Sequence, residues 1–259
     1  MSFKGKVVIV TGSSSGIGAA IAIKFAEEGA KVTLVGRNQE KLNNVAKKCG
    51  KPLVLVADVT KDENAKRIVD ETVKVYDKID VLVNSAGFGG FEGIQSKQPM
   101  VLFDKIMSTH LRSVVYLTHL ATPHLIKTKG SIVNISSIAA IRILSKEASA
   151  YSAAKAGLDH FTRAVALELA SSGVRVNVIN PGIVLTDFVE NMGHTKEEQE
   201  ALFKQVGDST PLKRVSVPEE IADLVLFLAS EKSVAITGSN FVSDNGMLLS
   251  GGGDTFKNE

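Results

Sequence analysis

Short apolar runs rich in β-branched residues alternate along this chain with amphipathic stretches, and this alternation limits the possible folds more than any other feature. The runs are Val7–Val10, Val32–Val35, Leu53–Val56, Val81–Val83, Ile132–Ile135, Val174–Ile179 and a last one near Asn240–Val242. Strands that are apolar along their whole length are buried on both faces, as in a parallel sheet covered by helices. The sequence therefore predicts an α/β fold: a doubly wound parallel sheet of about seven strands with helices on both faces.

The chain is long enough for one α/β unit of ordinary size, at 259 residues. No internal repeat, low-complexity tract or Pro/Ser-rich linker interrupts the alternation. We therefore expect a single domain over residues 1–259. The last ten residues, about 250–259, include three consecutive glycines and are predicted to form a flexible tail.

Charge and cysteine content exclude several classes of protein. The 30 Lys and Arg residues nearly balance 28 Asp and Glu, and no long basic run suits nucleic acid or anionic lipid. The single cysteine, Cys49, rules out an intrachain disulfide and favours a reducing compartment. The first residues lack a signal-peptide pattern, and no run approaches the roughly 18 apolar residues of a membrane span. We expect a cytoplasmic protein with no membrane span, whose partner is a small molecule.

A glycine-rich loop, Thr11-Gly12-Ser13-Ser14-Ser15-Gly16-Ile17-Gly18, joins the first predicted strand to a helical pattern from about Ala19 to Glu28. Its glycines permit a tight turn, and the N-terminus of the helix offers N–H groups and partial positive charge to a phosphate. An ordinary tight turn is the alternative. The position between strand and helix favours a Rossmann-like dinucleotide site. The predicted binding residues are Gly12, Ser14, Ser15, Gly16, Ile17 and Gly18.

The end of the second predicted strand bears on the choice of dinucleotide. An acidic side chain there would bind the ribose 2′-hydroxyl of NAD, but this chain has Gly36 followed by Arg37. A guanidinium can form charged hydrogen bonds with a 2′-phosphate, and no carboxylate at this strand end would repel the phosphate. NADP is therefore favoured over NAD. The alternative is that Arg37 lies in solvent while Asn38 and the backbone bind the ribose of NAD.

Two further strand ends carry candidate cofactor contacts. Asp58 and Val59 follow the third predicted strand, and the segment Asn84-Ser85-Ala86-Gly87 follows the fourth. Ligands of doubly wound sheets bind at the carboxyl ends of the strands. We predict that Asp58 and Val59 lie on the adenine side of the dinucleotide, and that Asn84, Ala86 and Gly87 lie on the ribose side.

With these motifs the chain resembles the short-chain dehydrogenase/reductase family over nearly its whole length. The motifs that carry the resemblance are Thr11-Gly12-x3-Gly16-Ile17-Gly18, Asp58-Val59, Asn84-Ser85-Ala86-Gly87, Ser136-Ser137, Tyr151-x3-Lys155 and Pro181-Gly182-x3-Thr186. The resemblance implies an enzyme that interconverts a ketone or aldehyde and an alcohol by hydride transfer. With Arg37, an NADP(H)-dependent oxidoreductase acting on CH–OH groups is expected.

Tyr151 and Lys155 are the predicted catalytic pair. They are four residues apart on a predicted helix that runs to Leu169, so their side chains share one face. The ammonium and a positive nicotinamide ring would lower the pKa of the phenol toward working pH, making Tyr151 a general acid in reduction and a base in oxidation. The resemblance implies that Lys155 also binds the nicotinamide ribose. Ser137 would bind the substrate oxygen, whereas its alternative role is to cap a turn.

The segment after the sixth predicted strand is a further cofactor contact by resemblance alone. Pro181, Gly182, Ile183 and Thr186 would wrap the nicotinamide, with the backbone of Ile183 on its carboxamide. An ordinary Pro-Gly turn is the alternative.

His110 departs from the family pattern, because relatives usually place there an asparagine that completes a proton relay to the lysine. An imidazole both donates and accepts hydrogen bonds and titrates near neutral pH, so His110 is a candidate catalytic residue. A buried structural histidine is the alternative. The histidines and carboxylates show no convincing zinc spacing, and no metal is expected.

The resemblance also implies a lid over the substrate, at about residues 187–217. Apolar side chains there and in two other loops would form a wall suited to a steroid, isoprenoid or aliphatic carbonyl compound. The alternative is that these side chains pack the lid against the sheet. They are Phe188, Val189, Met192, Phe203, Val206, Phe88, Phe91, Ile141, Ile143 and Leu144.

Relatives in this family mostly form dimers or tetramers, so a homo-oligomer, with a homotetramer favoured, is expected. Two alternatives to the expected activity stay open. One is an NAD-dependent dehydrogenase of the same fold. The other is a nucleotide-binding sensor or scaffold without turnover.

Overall fold

A single parallel sheet of seven strands organises the computed structural model, which describes residues 2–186 and 195–250. The strands are β1 (Val7–Thr11), β2 (Lys31–Gly36), β3 (Leu53–Val56), β4 (Val81–Asn84), β5 (Ser131–Ile135), β6 (Arg175–Pro181) and β7 (Asn240–Ser243). Their order is β3-β2-β1-β4-β5-β6-β7, and every pair is parallel. The predicted α/β fold with a doubly wound sheet is confirmed.

Helices cover both faces of the sheet. They are α1 (Gly16–Glu27), α2 (Gln39–Ala46), α3 (Asp62–Tyr76), α4 (Pro99–Met107), α5 (Ser113–Thr128), α6 (Ser149–Leu169), α7 (Lys196–Ser209) and α8 (Pro218–Ala229). In β1, Val8 and Val10 pack with α1, α2 and α8, whereas Ile9 packs with α3, α5 and α6. Because successive side chains of a strand point to opposite faces, both faces must be apolar, which is why these strands read as unbroken apolar runs.

The order of the strands places a crevice beside β1. The chain moves outward from β1 to β2 and β3, and then returns to the other side of β1 with β4. The connections on either side of this point diverge, which opens a crevice at the carboxyl ends of the strands. The glycine-rich loop lies there, and a Cβ on Gly18 would overlap the carbonyl of Gly12. Close packing of helix α1 on this loop therefore requires glycine at position 18.

A third apolar cluster lies beyond the carboxyl ends of the strands. It joins α4, the loop after β5, α6, α7 and the C-terminal segment, with Leu144, Tyr151, Val206 and Met247 among its buried members. Arg142 links the loop after β5 to the C-terminal segment, because its guanidinium donates hydrogen bonds to the carbonyls of Met247 (2.9 Å) and Ser250 (3.1 Å). Of the predicted lid, residues 187–194 lie outside the described residues and 195–209 contain α7. The predicted tail beyond Ser250 also lies outside them.

Candidate active site

The predicted site residues come together in one cleft of about 340 Å³ at the carboxyl ends of the strands. Nineteen of them line it: Gly12, Ser14, Ser15, Gly16, Ile17, Gly18, Arg37, Asp58, Val59, Ala86, Gly87, His110, Ser137, Tyr151, Lys155, Pro181, Gly182, Ile183 and Thr186. They come from the ends of six strands and from three helical segments, which the sheet topology brings together in space. Residues that sequence reasoning missed also line the cleft, among them Thr60, Lys105 and Leu202. No motif marked those positions.

Asn84 is the exception among the predicted cofactor contacts. It is buried in β4 and does not line the cleft. Its side-chain amide donates to Oδ1 of Asn134 at 2.8 Å, and the amide of Asn134 donates in turn to Thr162 Oγ1 at 2.9 Å. These hydrogen bonds link β4, β5 and α6 inside the core, whereas Oδ1 of Asn84 has no hydrogen-bond partner among the described residues. The side chain of Asn84 is therefore part of the core, and a contact of Asn84 with the ribose stays a prediction.

The N-terminus of α1 opens onto the cleft. Ser15 is the N-cap residue, and its side chain makes no capping hydrogen bond to the helix. Gly16 follows with φ = +55°, a conformation that favours glycine, and a Cβ there would also lie 3.1 Å from Cγ2 of Thr186. First-turn N–H groups without a cap, together with the dipole of the helix, suit a diphosphate.

Two side chains of opposite charge, Arg37 and Asp58, line the β2 and β3 end of the cleft. Burial raises the pKa of Asp58, but hydrogen bonds from Thr60 and the charges of Arg37 and Lys61 outweigh this and leave its pKa below the usual value. Thr60 donates to Asp58 Oδ1 through both its backbone N–H (3.0 Å) and its hydroxyl (2.8 Å). A Cβ on Gly36 would lie only 3.2 Å from Cβ of Ser14. Position 36 therefore has little room for a side chain, while Arg37 is exposed at the rim.

Lys155 is buried beneath the opposite end of the cleft. Its Nζ donates to the carbonyl of Ile135 at 2.9 Å and lies 5.7 Å from the ring centroid of Tyr151. Burial lowers the pKa of Lys155 to about 8, although the carboxylate of Asp159 one helical turn later opposes this. A desolvated ammonium with a pKa in this range can change protonation near working pH.

Tyr151 lies beside Lys155 on α6 and is bonded to Ser137. Burial raises the pKa of Tyr151 to about 12, and the hydrogen bond with the Ser137 hydroxyl opposes the rise. Among the groups of this chain, desolvation therefore dominates the pKa of Tyr151. The lowering expected from Lys155 together with a positive nicotinamide ring stays a prediction. The Ser137 hydroxyl also accepts from the backbone N–H of Ala139 at 3.1 Å. Ser137 thus caps a turn, which was its alternative role, and it also contacts the phenol of Tyr151. Its binding of the substrate oxygen stays a prediction.

His110 lies in a π-helical turn, Ser108–Arg112, between α4 and α5. Its Nε2 is 3.0 Å from the carbonyl of Phe88, and its ring meets that of Tyr151 edge-on with centroids 5.2 Å apart. Burial and the charge of Lys155 hold the pKa of His110 well below its usual value, so the ring is neutral. Nε2 also lies 3.4 Å from the backbone N of Phe88, so the tautomer of the ring decides whether Nε2 donates to the carbonyl or accepts from this N–H. Nδ1 is buried and has no hydrogen-bond partner among the described residues.

Apolar side chains line the cleft near Tyr151. Of those predicted, Phe88, Phe91 and Leu144 do so, together with Ile183. Ile141 and Ile143 do not, since they are 54% and 70% exposed on the loop after β5. Val206 packs in the core and Phe203 does not reach the cleft. Phe188, Val189 and Met192 lie outside the described residues.

Over the ranges 2–186 and 195–250, no group of three His, Cys, Asp or Glu side chains could hold a metal ion, and no helix is both long and apolar enough to cross a membrane. Burial raises the pKa of Cys49 to about 11, so its thiol is not the nucleophilic form at neutral pH.

A dinucleotide cradle at a helix N-terminus, joined in one cleft to a Tyr–Lys–Ser cluster, defines the class of nicotinamide-dependent oxidoreductases with a doubly wound fold. Residues 12–248 match the family profile described as enoyl-(acyl carrier protein) reductase. The chain belongs to the short-chain dehydrogenase/reductase family, whose members act on alcohols and carbonyl compounds with a nicotinamide cofactor.

Solved structures of the family are similar along nearly the whole chain. A short-chain dehydrogenase/reductase of unknown function from Caenorhabditis elegans, solved with cofactor, is 37% identical with a TM-score of 0.92, over 98% of this chain and 99% of that one. L-Sorbose reductase from Gluconobacter frateurii, complexed with NADPH and L-sorbose, is 33% identical with a TM-score of 0.87, over 96% and 98%. A 7α-hydroxysteroid dehydrogenase, complexed with NADH and 7-oxo glycochenodeoxycholic acid, is 30% identical with a TM-score of 0.87, over 95% of each chain. The last two of these structures differ in both cofactor and substrate, so the particular reaction must be argued from the residues of this chain.

Proposed function

We propose that this protein is an NADP(H)-dependent oxidoreductase that interconverts a lipophilic ketone or aldehyde and its alcohol, with Tyr151 as the general acid and base. The observation that carries the proposal is the layout of the cleft. Tyr151, Ser137 and Lys155 meet at one end, and Arg37 stands at the other beside a strand end that has no carboxylate.

The residues of the cleft fit an NADP molecule. The uncapped N-terminus of α1 suits the diphosphate, and the glycine-rich loop allows the backbone close approach. Arg37 can bind the 2′-phosphate, whereas Gly36 leaves no acceptor for a 2′-hydroxyl. Lys155 and residues 181–186 would hold the nicotinamide end. When bound, the dinucleotide supplies or accepts the hydride.

Protonation of Tyr151 suits the reductive direction. With a pKa of about 12, the phenol is protonated at neutral pH and can donate its proton to the oxygen of a carbonyl as negative charge develops there. Ser137, bonded to the same phenol, can donate to that oxygen as well and stabilise it. In the oxidative direction, the positive charge of Lys155 favours the phenolate that must accept a proton from the alcohol.

His110 is proposed to return protons to the Tyr151–Lys155 pair. Its free Nδ1 is an acceptor in a buried position, and Lys155 is close enough for its charge to act on the imidazole. A neutral histidine whose other nitrogen is held by Phe88 can accept a hydrogen bond from water or an ammonium without turning. This role would replace that of the asparagine found in relatives.

A lipophilic substrate is supported by the walls near Tyr151. Phe91 meets the Tyr151 ring edge-on at 6.1 Å, and Phe88 and Leu144 extend the same apolar surface. Transfer of an apolar substrate from water to this surface lowers the free energy by about 25 cal/mol per Å² of apolar area buried. A polyhydroxylated sugar would instead leave hydroxyl groups without partners along this wall.

The assembly proposed is a homo-oligomer, a tetramer or dimer, in the cytoplasm. Val115 and Ile126 on α5 and Leu167 on α6 are exposed, the last by 82%. Apolar side chains on the outer faces of two long helices favour contact with a second copy. The cytoplasmic location rests on the single unpaired cysteine.

Initial rates across a panel of ketones and aldehydes, measured with NADPH and with NADH, test the activity. Reduction of steroid or aliphatic carbonyls with NADPH, and much slower reduction of sugars, is expected. Exclusive use of NADH would contradict the role of Arg37. Absence of any turnover, with nucleotide binding intact, would favour the alternative of a sensor or scaffold.

A further inference from the structure

Asp159 is a buried carboxylate that the proposed reaction leaves without a role. It lies on α6 one turn beyond Lys155 and is 4% exposed. A buried carboxylate is costly unless hydrogen bonds and opposite charge offset its desolvation. What surrounds Asp159 therefore indicates what it does.

Two amides from neighbouring strands donate to the same oxygen of Asp159. Nδ2 of Asn180, on β6, lies 2.8 Å from Oδ2, and Nδ2 of Asn240, on β7, lies 2.7 Å from it. The Asn180 amide also donates to the backbone carbonyl of Ser137 at 3.0 Å. Asp159 thus connects the catalytic helix to Ser137 and to the strand end that continues into Pro181 and Gly182.

Opposite charges act on Asp159 from its own helix. Burial leaves the pKa of Asp159 above its usual value, although the hydrogen bond from Asn180 and the charges of Lys155 and Arg163 oppose the rise. Oδ1 of Asp159 has no hydrogen-bond partner among the described residues. The neighbouring strands contribute the uncharged Ser136, Asn180 and Asn240. On the far side of Lys155, the neutral His110 is the titratable group that faces it from the π-helical turn.

We propose that Asp159 is a positioning residue for catalysis: its carboxylate keeps the buried Lys155 ammonium protonated, and its bonds to Asn180 and Asn240 hold the ends of β6 and β7 against the catalytic helix. Lys155 is nearly fully buried, at 5% exposure, and its Nζ is held by a neutral carbonyl of Ile135. That carbonyl cannot supply a full countercharge. Asp159 supplies it from behind, without contacting substrate or cofactor.

The proposal predicts a particular change in the pH profile of Asp159→Asn. Asparagine keeps an oxygen that accepts from both amides but removes the charge. Without the negative charge, the protonated form of the buried Lys155 is less stable, so the loss of activity as Lys155 deprotonates should begin at a lower pH, by about one unit. The readout is kcat/KM for carbonyl reduction from pH 6 to 10. Asp159→Glu, which retains the charge, should restore the wild-type profile.

The matched control is Glu168→Gln, which removes one negative charge from an exposed position of the same helix. Its profile should not move. A slower Asp159→Asn enzyme whose profile coincides with that of wild type would overturn the proposal, because a purely structural role changes rates and stability but not the pKa of Lys155.

The kinetic measurement rests on the proposed function. A second measurement therefore follows the ionisation of Asp159 directly by NMR, and it needs neither turnover nor the Asp159→Asn variant. In wild-type protein labelled with ¹³C at aspartate carboxyl carbons, the resonance missing from Asp159→Glu is that of Asp159. The proposal requires this carboxyl to be ionised throughout pH 6–8 and to respond again as Lys155 titrates. An Asp159 protonated over that range would overturn it. Absence of turnover with an ionised Asp159 would count against the proposed function alone.

Discussion

The imidazole of His110 occupies the space that a side chain at Gly87 would need. A Cβ on Gly87 would lie 2.8 Å from Cε1 of His110 and 3.2 Å from Nδ1. Gly87 is not among the glycines with positive φ, so crowding rather than backbone conformation excludes a side chain here. The glycine that sequence reasoning assigned to cofactor binding also makes room for the histidine that replaces the usual asparagine.

We expect Gly87→Ala to destabilise the protein by about 1–3 kcal/mol, the usual cost of overpacking a buried site. Adding His110→Ala should recover most of that loss, because the methyl group then has space. Denaturant unfolding of both single variants and the double variant measures the coupling. Additive losses would show that the two positions do not compete for space.

His110→Asn and His110→Ala test the proton relay. Asparagine can still accept and donate, so we expect it to retain most activity, whereas alanine should lower kcat by about tenfold, less than loss of a direct acid or base. The pH profile of the alanine variant should differ from that of wild type. Wild-type rates and profiles in both variants would leave His110 with a structural role only.

Tyr151→Phe should lower kcat by about 10²–10⁴-fold, because the proton donor is lost while the ring remains. Its affinity for NADPH, measured by fluorescence titration, should stay close to that of wild type. Retention of turnover in this variant would exclude Tyr151 as the acid and base.

Arg37→Ala should weaken NADPH binding by roughly 10- to 100-fold, as expected when a charged hydrogen bond worth about 1.5–3 kcal/mol is lost. The KM for NADH should change little and serves as the control within the same variant. Gly36→Asp should disfavour NADPH further, although its side chain must also displace Ser14. Equal effects on both nucleotides would remove Arg37 from the discrimination.

Lys155 should make the stability of the ligand-free protein rise with pH. Its pKa is lowered by burial from 10.5 to about 8, so between these values the unfolded chain binds more protons than the folded one. The stability of wild type relative to Lys155→Met should therefore increase between pH 7 and pH 10, by about 2 kcal/mol. Urea unfolding across this range measures it. The measurement stops at pH 10 because Tyr151 has a pKa of about 12 in the folded protein, above its usual value of 10. Above pH 10 the ionisation of Tyr151 therefore lowers the stability as pH rises.

Local sequence was sufficient to predict the positions of the strands and the residues of the motifs. The run Leu53–Val56 coincides with β3, and Tyr151 and Lys155 lie on one face of a helix that ends at Leu169, as predicted. These features depend on periodicity, on β-branched side chains and on glycine in a turn, which are properties of neighbouring residues. They could be obtained without knowing how distant segments pack.

Burial and long-range contact were decided by the tertiary structure alone. Asn84 belongs to a motif but is turned into the core toward Asn134, while Ile141 and Ile143 point to solvent. The pKa of Tyr151 lies above its usual value because of desolvation, which depends on the whole surrounding fold. Sequence therefore determined which groups this enzyme carries. Tertiary structure decided which of these groups share a cleft, how far each is buried, and that Asp159 lies beside Lys155 on the side away from the cleft. These properties depend on contacts between residues far apart in the chain.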